Sequence, residues 1–141
     1  MGYTTSFTGR FHLDQPLTVE QLSILMDLAD NDDMREGYDL GDGFRAPSNY
    51  CQWVPTKDGK AIEWDGGEKF YSYVEWLELI VGRYLKPWGL TLSGRVEWQG
   101  EEGDDQGVIH VLANRVQAIK NVIVKPEPVV EKPEPDWGGG A

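Results

Sequence analysis

The densest concentration of polar and aromatic chemistry in this chain is the run Ile62-Glu63-Trp64-Asp65-Gly66-Gly67-Glu68-Lys69-Phe70-Tyr71. It passes from a β-prone stretch through two glycines into a stretch of helical periodicity. A glycine turn ahead of a helix can present backbone N–H groups to an anion. Here Asp65 and Glu68 already bring negative charge to that position, which suits the cap and first-turn acids of the helix that follows. The same run is the best-equipped surface in the sequence for a ligand or a protein partner. Its candidate binding residues are Glu63, Trp64, Asp65, Gly66, Gly67, Glu68, Lys69 and Tyr71.

A second run, Glu97 to Gly107, sets Glu101, Glu102, Asp104 and Asp105 among glycines. Clustered acids suggest Ca²⁺, but the spacing is not that of an EF-hand loop, and the run reads as a solvated hairpin tip. Glu63 and Glu97 would make a glycosidase-like carboxylate pair if they faced each other across a sheet, which nothing in their spacing requires. Cys51 falls inside a β-prone stretch and reads as a packed thiol, not a nucleophile. His12 falls on the polar side of an alternating strand and reads as a solvated histidine. The sequence carries no Walker-type loop, no GxGxxG after a strand, no GxSxG, no CxxC and no HExxH. No catalytic residue, metal ligand or cofactor is assigned, and a non-catalytic protein is expected.

The elements that must position these residues follow from periodicity. Residues 3–13 alternate, with Tyr3, Thr5, Phe7, Gly9, Phe11 and Leu13 on one face, and predict a half-buried strand. Thr18 and Gln21 form a capping-box pattern ahead of Val19, Leu22, Leu25, Met26 and Ala29 at helical spacing. Residues 31–49 read as a long surface loop. Asp58-Gly59 predicts a hairpin turn between strands at 51–55 and 60–64. Phe70, Tyr73, Val74, Leu77, Ile80, Val81, Tyr84 and Leu85 form the strongest helical stripe, ending at Lys86-Pro87. Strands are expected at 90–98, at 108–112 and from 116 to about 124. The expected order is β-α-β-β-α-β-β-β, an α+β domain over residues 1–124. Its first six elements match the ferredoxin-like split βαβ order, with a mostly antiparallel sheet and two helices on one face. Lys125–Ala141, with prolines at 126, 128, 133 and 135, predicts a disordered acidic tail.

Composition bounds the function classes. At 141 residues the chain has the length of one domain, and its net charge of −11 with pI about 4.5 repels phosphate backbones and anionic membranes at long range. A single cysteine and a polar amino terminus lead us to expect a cytoplasmic protein of a host or infected bacterium, with no membrane association. Unpaired sheet edges make a homo-oligomer plausible.

Several motifs together resemble a family of small uncharacterised bacteriophage and bacterial proteins. They are Met1-Gly2-Tyr3-x-Thr5-x-Phe7-Thr8-Gly9, Pro16-Leu17-Thr18, Gln52-Trp53-x-Pro55-Thr56, the 62–71 run, Pro87-Trp88-Gly89 and Trp98-Gln99-Gly100-Glu101. The resemblance covers most of residues 1–118 and is most specific over 62–71. It implies a phage or bacterial setting and carries no activity. Two functions therefore stand as expectations. The first is an acidic phage accessory protein that binds a host or phage protein without catalysis. The second is a single-stranded nucleic-acid-binding protein that stacks bases on Trp53, Trp64 and Trp98 of a sheet face and docks partners through its acidic tail.

Overall fold

The structure is a computed structural model that describes residues 3–120. The expected tail at 125–141, the end of the last strand beyond Lys120 and the first two residues of the Met1-Gly2-Tyr3 motif lie outside the described residues.

The alternating amino-terminal segment forms strand β1, Ser6–Leu13. Helix α1, Val19–Ala29, opens on Thr18. The Thr18 hydroxyl accepts from the Gln21 amide at 3.1 Å, and the Gln21 side chain accepts from the Thr18 amide at 3.0 Å, so the capping box forms as its spacing predicts. The segment expected as a plain loop contains a small hairpin, β2 (Asp39–Gly41) and β3 (Phe44–Arg45). Its Asp42-Gly43 turn takes positive φ at both positions, as a primed hairpin turn requires. The Arg83 guanidinium holds this hairpin down. It pairs with Asp42 at 3.4 Å and lies over the rings of Phe44 and Tyr84.

Strands β4 (Trp53–Pro55) and β5 (Ala61–Trp64) follow, joined through the Asp58-Gly59 turn. Helix α2 spans only Tyr73–Leu79, and the chain continues as a π-helical segment, Ile80–Leu85. The predicted stripe is helical from Tyr73 to Leu85, in two helical geometries in series, while its first member, Phe70, lies ahead of the helix. Strands β6 (Leu92–Gln99), β7 (Gln106–Leu112) and β8 (Arg115–Lys120) complete the chain.

Six strands form one antiparallel sheet in the order β4-β5-β1-β6-β7-β8, and β2 and β3 form a separate pair. The architecture is thus α+β with two helices and a mostly antiparallel sheet. It carries one hairpin more than the expected element order. Strand registers place Trp53, Ile62, Phe7, Phe11, Leu92, Val96, Trp98, Ile109 and Val111 on one side of the large sheet. These side chains share a single core with Leu25 and Leu28 of α1 and with Trp76 and Leu77 of α2, so both helices cover the same face. The opposite face is bare, with Ser6, Thr8, Arg10, His12, Arg95, Gln99 and Gln117 exposed. No described helix is long and apolar enough to cross a membrane.

Close packing reaches the backbone at Gly107. A β-carbon there would stand 2.4 Å from the Trp98 ring and 2.4 Å from the Ile119 carbonyl oxygen. Gly107→Ala should therefore destabilise the fold by about 2 kcal/mol through overpacking, read as a lowered urea midpoint with an unchanged slope. A midpoint equal to that of the native chain would mean that Trp98 has room to move.

Candidate functional site

The glycine-containing run is organised from below by Gln52, a buried amide. Its Nε2 donates to the Glu68 carbonyl at 2.6 Å, its Oε1 accepts from the Trp64 indole N–H at 3.0 Å, and its backbone carbonyl accepts from Asp65 N–H at 3.0 Å. Asp65 turns its carboxylate onto the Gly67 N–H at 2.8 Å. This closes a local turn, so Asp65 does not cap α2 as its position before the helical stripe suggests. The helix begins at Tyr73, and its N-cap, Ser72, makes no side-chain cap bond. The reason for the delay is Phe70. It is buried, with its ring 5.7 Å from Phe7 and 5.3 Å from Trp53. Turning Phe70 into the core takes the chain through left-handed backbone at Lys69 (φ 61°) and Ser72 (φ 57°), two positions where a side chain costs roughly 1–2 kcal/mol each.

A second segment is sewn to this turn. Ser48 Oγ donates to the Tyr71 carbonyl at 3.0 Å and accepts from the Trp76 indole N–H at 2.8 Å. Tyr71 Oη accepts from the Tyr3 backbone N–H at 2.9 Å. Between the two segments lies a groove of about 460 Å³ lined by Glu36, Pro47, Ser48, Asn49, Tyr50, Lys69, Tyr71 and Ser72. Tyr50 and Tyr71 stand 53 % and 47 % exposed at it.

Of the predicted binding residues, Lys69 and Tyr71 line this groove. Asp65, Gly66, Gly67 and Glu68 form the turn that precedes it. Glu63 belongs elsewhere, because strand alternation puts it on the bare face of the sheet, where its carboxylate pairs with Arg10 at 3.0 Å. Trp64 is half-buried against Phe7 at 5.3 Å on the core side. Glu36, Pro47, Ser48, Asn49, Tyr50 and Ser72 are the groove residues that sequence reasoning did not single out. An aromatic residue at the end of a loop, Tyr50, was the available signal.

The indoles expected to stack bases do not present a platform. Trp53 and Trp98 are buried and Trp64 is half-buried, all on the helix-covered side. Their N–H groups are consumed internally by the Tyr73 carbonyl at 2.8 Å, by Asp105 at 3.1 Å and by Gln52 at 3.0 Å, respectively for Trp53, Trp98 and Trp64. A sheet that must bury its rings under two helices cannot also offer them to solvent.

The acidic run at 97–107 is a clasped turn. Asp105 accepts from Tyr3 Oη at 2.7 Å and from the Trp98 indole, and Tyr3 Oη accepts from the Glu102 N–H at 3.1 Å. Among the described residues no three histidine, cysteine, aspartate or glutamate side chains gather to hold a metal. The imagined Glu63 and Glu97 pair is divided between two ion pairs, since Glu97 meets Arg95 at 3.3 Å.

No family model, curated protein or solved structure matches the chain.

Burial pushes the Cys51 thiol up to about 12, and burial likewise pushes the Tyr73 phenol up to about 12. Both groups ionise more easily in the unfolded chain, near 9.0 and 10.0 respectively, so their neutral forms favour folding below those values. Stability should be level through neutral pH and fall as pH rises from about 9 towards 12. Chemical unfolding at stepped pH checks this, and Cys51 should resist thiol reagents until the chain unfolds.

Gln52→Leu should strand the Trp64 indole N–H and the Glu68 carbonyl, at a cost of about 2 kcal/mol. Amide exchange should accelerate over residues 65–72 before it does in β1 and β6. Uniform acceleration across the sheet would show that Gln52 supports the whole fold and not this turn.

Proposed function

We propose that this chain is a non-catalytic accessory protein of a phage or bacterial system that binds a host or phage protein through the groove between residues 47–50 and 69–72. The observation that carries the reading is the pair of exposed tyrosines, Tyr50 and Tyr71, around Lys69 on a backbone held by internal hydrogen bonds. Tyrosine supplies large contact area at little conformational cost and is enriched in protein interfaces. Glu36 and Lys69 give the groove one charge of each sign. Asn49 adds a polar group suited to a polypeptide backbone. The phage or bacterial setting rests on the motif resemblance, with its most specific part over residues 62–71. A net charge of −11 supports a protein partner over a phosphate polymer.

Affinity capture from lysates of bacteria, with and without phage infection, tests the reading. The immobilised native chain is compared with the double variant Tyr50→Ser/Lys69→Glu, whose changes lie at exposed positions. The expected result is a protein retained by the native chain and reduced about tenfold or more with the variant, as interface aromatics of this kind command. Equal retention by both proteins would remove the groove from the proposal. If the native chain retains nothing specific, the binding reading fails.

A further inference from the structure

The bare face of the large sheet is a second surface, separate from the groove. Its centre holds two arginines, each paired with one glutamate, in a chain whose net charge is −11. Arg10 on β1 stands directly opposite Arg95 on β6, Arg95 stands opposite His110 on β7, and Arg115 begins β8 on the same face. Like charges opposed on neighbouring strands destabilise a sheet. Their cost is offset in part by Glu63 and Glu97, which pair with Arg10 at 3.0 Å and Arg95 at 3.3 Å. These ion pairs are exposed and contribute little. The arginine side chains remain 52 % and 60 % exposed, and each ion pair engages a single Nη2 of a guanidinium that carries five N–H donors. Apart from Glu63 and Glu97, no described acid lies on a strand of the large sheet.

We propose that this face, centred on Arg10 and Arg95, is a docking surface for an acidic polypeptide segment of a partner protein. Charge complementarity carries the assignment. Screening limits surface electrostatics to about 8 Å at physiological ionic strength, so a segment lying on the face meets Arg10, Arg95 and Arg115 with the two paired glutamates, and not the distant acids. The planar guanidinium fork matches carboxylate in bidentate fashion. The face is about 24 Å wide across six strands, room for a short extended segment. Leu112 and Ile119, exposed on the β7 and β8 side of the face, add apolar contact. A long phosphate polymer fits less well. Acidic turns bound the sheet at both ends, with Asp58 between β4 and β5 and Glu101, Glu102, Asp104 and Asp105 between β6 and β7. Any anionic polymer long enough to run past the strand ends would meet these carboxylates, so the face suits a short segment.

The test titrates the full chain into a fluorescein-labelled ten-glutamate peptide and into a fluorescein-labelled ten-nucleotide oligo-dT, and reads anisotropy at low and at physiological salt. The native chain should bind the peptide saturably and more tightly than the oligonucleotide. Arg10→Gln and Arg95→Gln should each weaken peptide binding about tenfold, as loss of a charge-assisted bidentate contact does. Lys86→Gln, exposed and off the sheet, should leave it unchanged, as should the groove variant Tyr50→Ser/Lys69→Glu. Thermal melts of the arginine variants should match the native chain, since each change removes a like-charge opposition together with one exposed ion pair. The proposal is overturned if the peptide does not bind at low salt, or if Lys86→Gln weakens it as much as the arginine changes do. It is overturned equally if the oligonucleotide binds more tightly at the same arginines. Sedimentation showing a dimer that Arg95→Gln dissociates would assign the face to a second copy of the chain and overturn it as well.

Discussion

The structure depends on how one phenylalanine is surrounded. The Phe7 ring lies 5.2 Å from Trp53, 5.3 Å from Trp64, 5.7 Å from Phe70 and 5.0 Å from Tyr73, each at a steep interplanar angle. Edge-to-face contacts of this kind set the positive ring edge against the negative ring face. They join β1 to β4, β5 and the start of α2, all of which lie far along the chain from it. Phe7 can occupy this position only if β1 is central, and the strand order places it between β5 and β6. Phe70 must then point inward, which delays α2 and forces the left-handed residues that shape the groove.

The tryptophans bring a second constraint, because each buried ring carries an N–H that must be satisfied. Four of these donors tie surface segments to the core. Trp53 holds the first residue of α2 through the Tyr73 carbonyl, Trp64 meets Gln52, Trp76 holds Ser48, and Trp98 holds Asp105. The loops around the groove thereby inherit the rigidity of the core. Tyr3 extends the same arrangement, donating its backbone N–H to Tyr71 and its hydroxyl to Asp105. The amino-terminal segment, the 100–105 turn and the groove are consequently parts of one hydrogen-bonded system.

The two faces of the large sheet have opposite characters for the same reason. Side-chain alternation along each strand sends the rings to one side and the polar residues to the other. With both helices on the aromatic side, the polar side has no cover, and Arg10 and Arg95 meet there by register. The acids are excluded from the core by their desolvation cost and from most strand positions by composition. They collect on helices, loops and turns.

What the sequence by itself determined is whatever depends on local spacing. Alternation from Phe7 to Leu13, the Thr18–Gln21 capping box, the Asp58-Gly59 turn and the helical stripe from Tyr73 to Leu85 all appear in the fold, because each is set by neighbours within a few residues. The α+β class follows from them. The Asp42-Gly43 hairpin was legible by the same turn chemistry but was hidden inside a polar stretch. Of the candidate site, Lys69 and Tyr71 were legible and Tyr50 was not, since a groove between residues 47–50 and 69–72 exists only after β4 and β5 have paired. Tertiary structure alone decided that Trp53, Trp64 and Trp98 face the helices, that Asp65 closes a turn and leaves α2 uncapped, and that Glu63 stands apart from the run it belongs to. The physical reason is that strand periodicity gives the two faces of a strand but not their destinations. Which face becomes the core is settled by where the helices pack, and that choice buried the indoles and exposed the arginines.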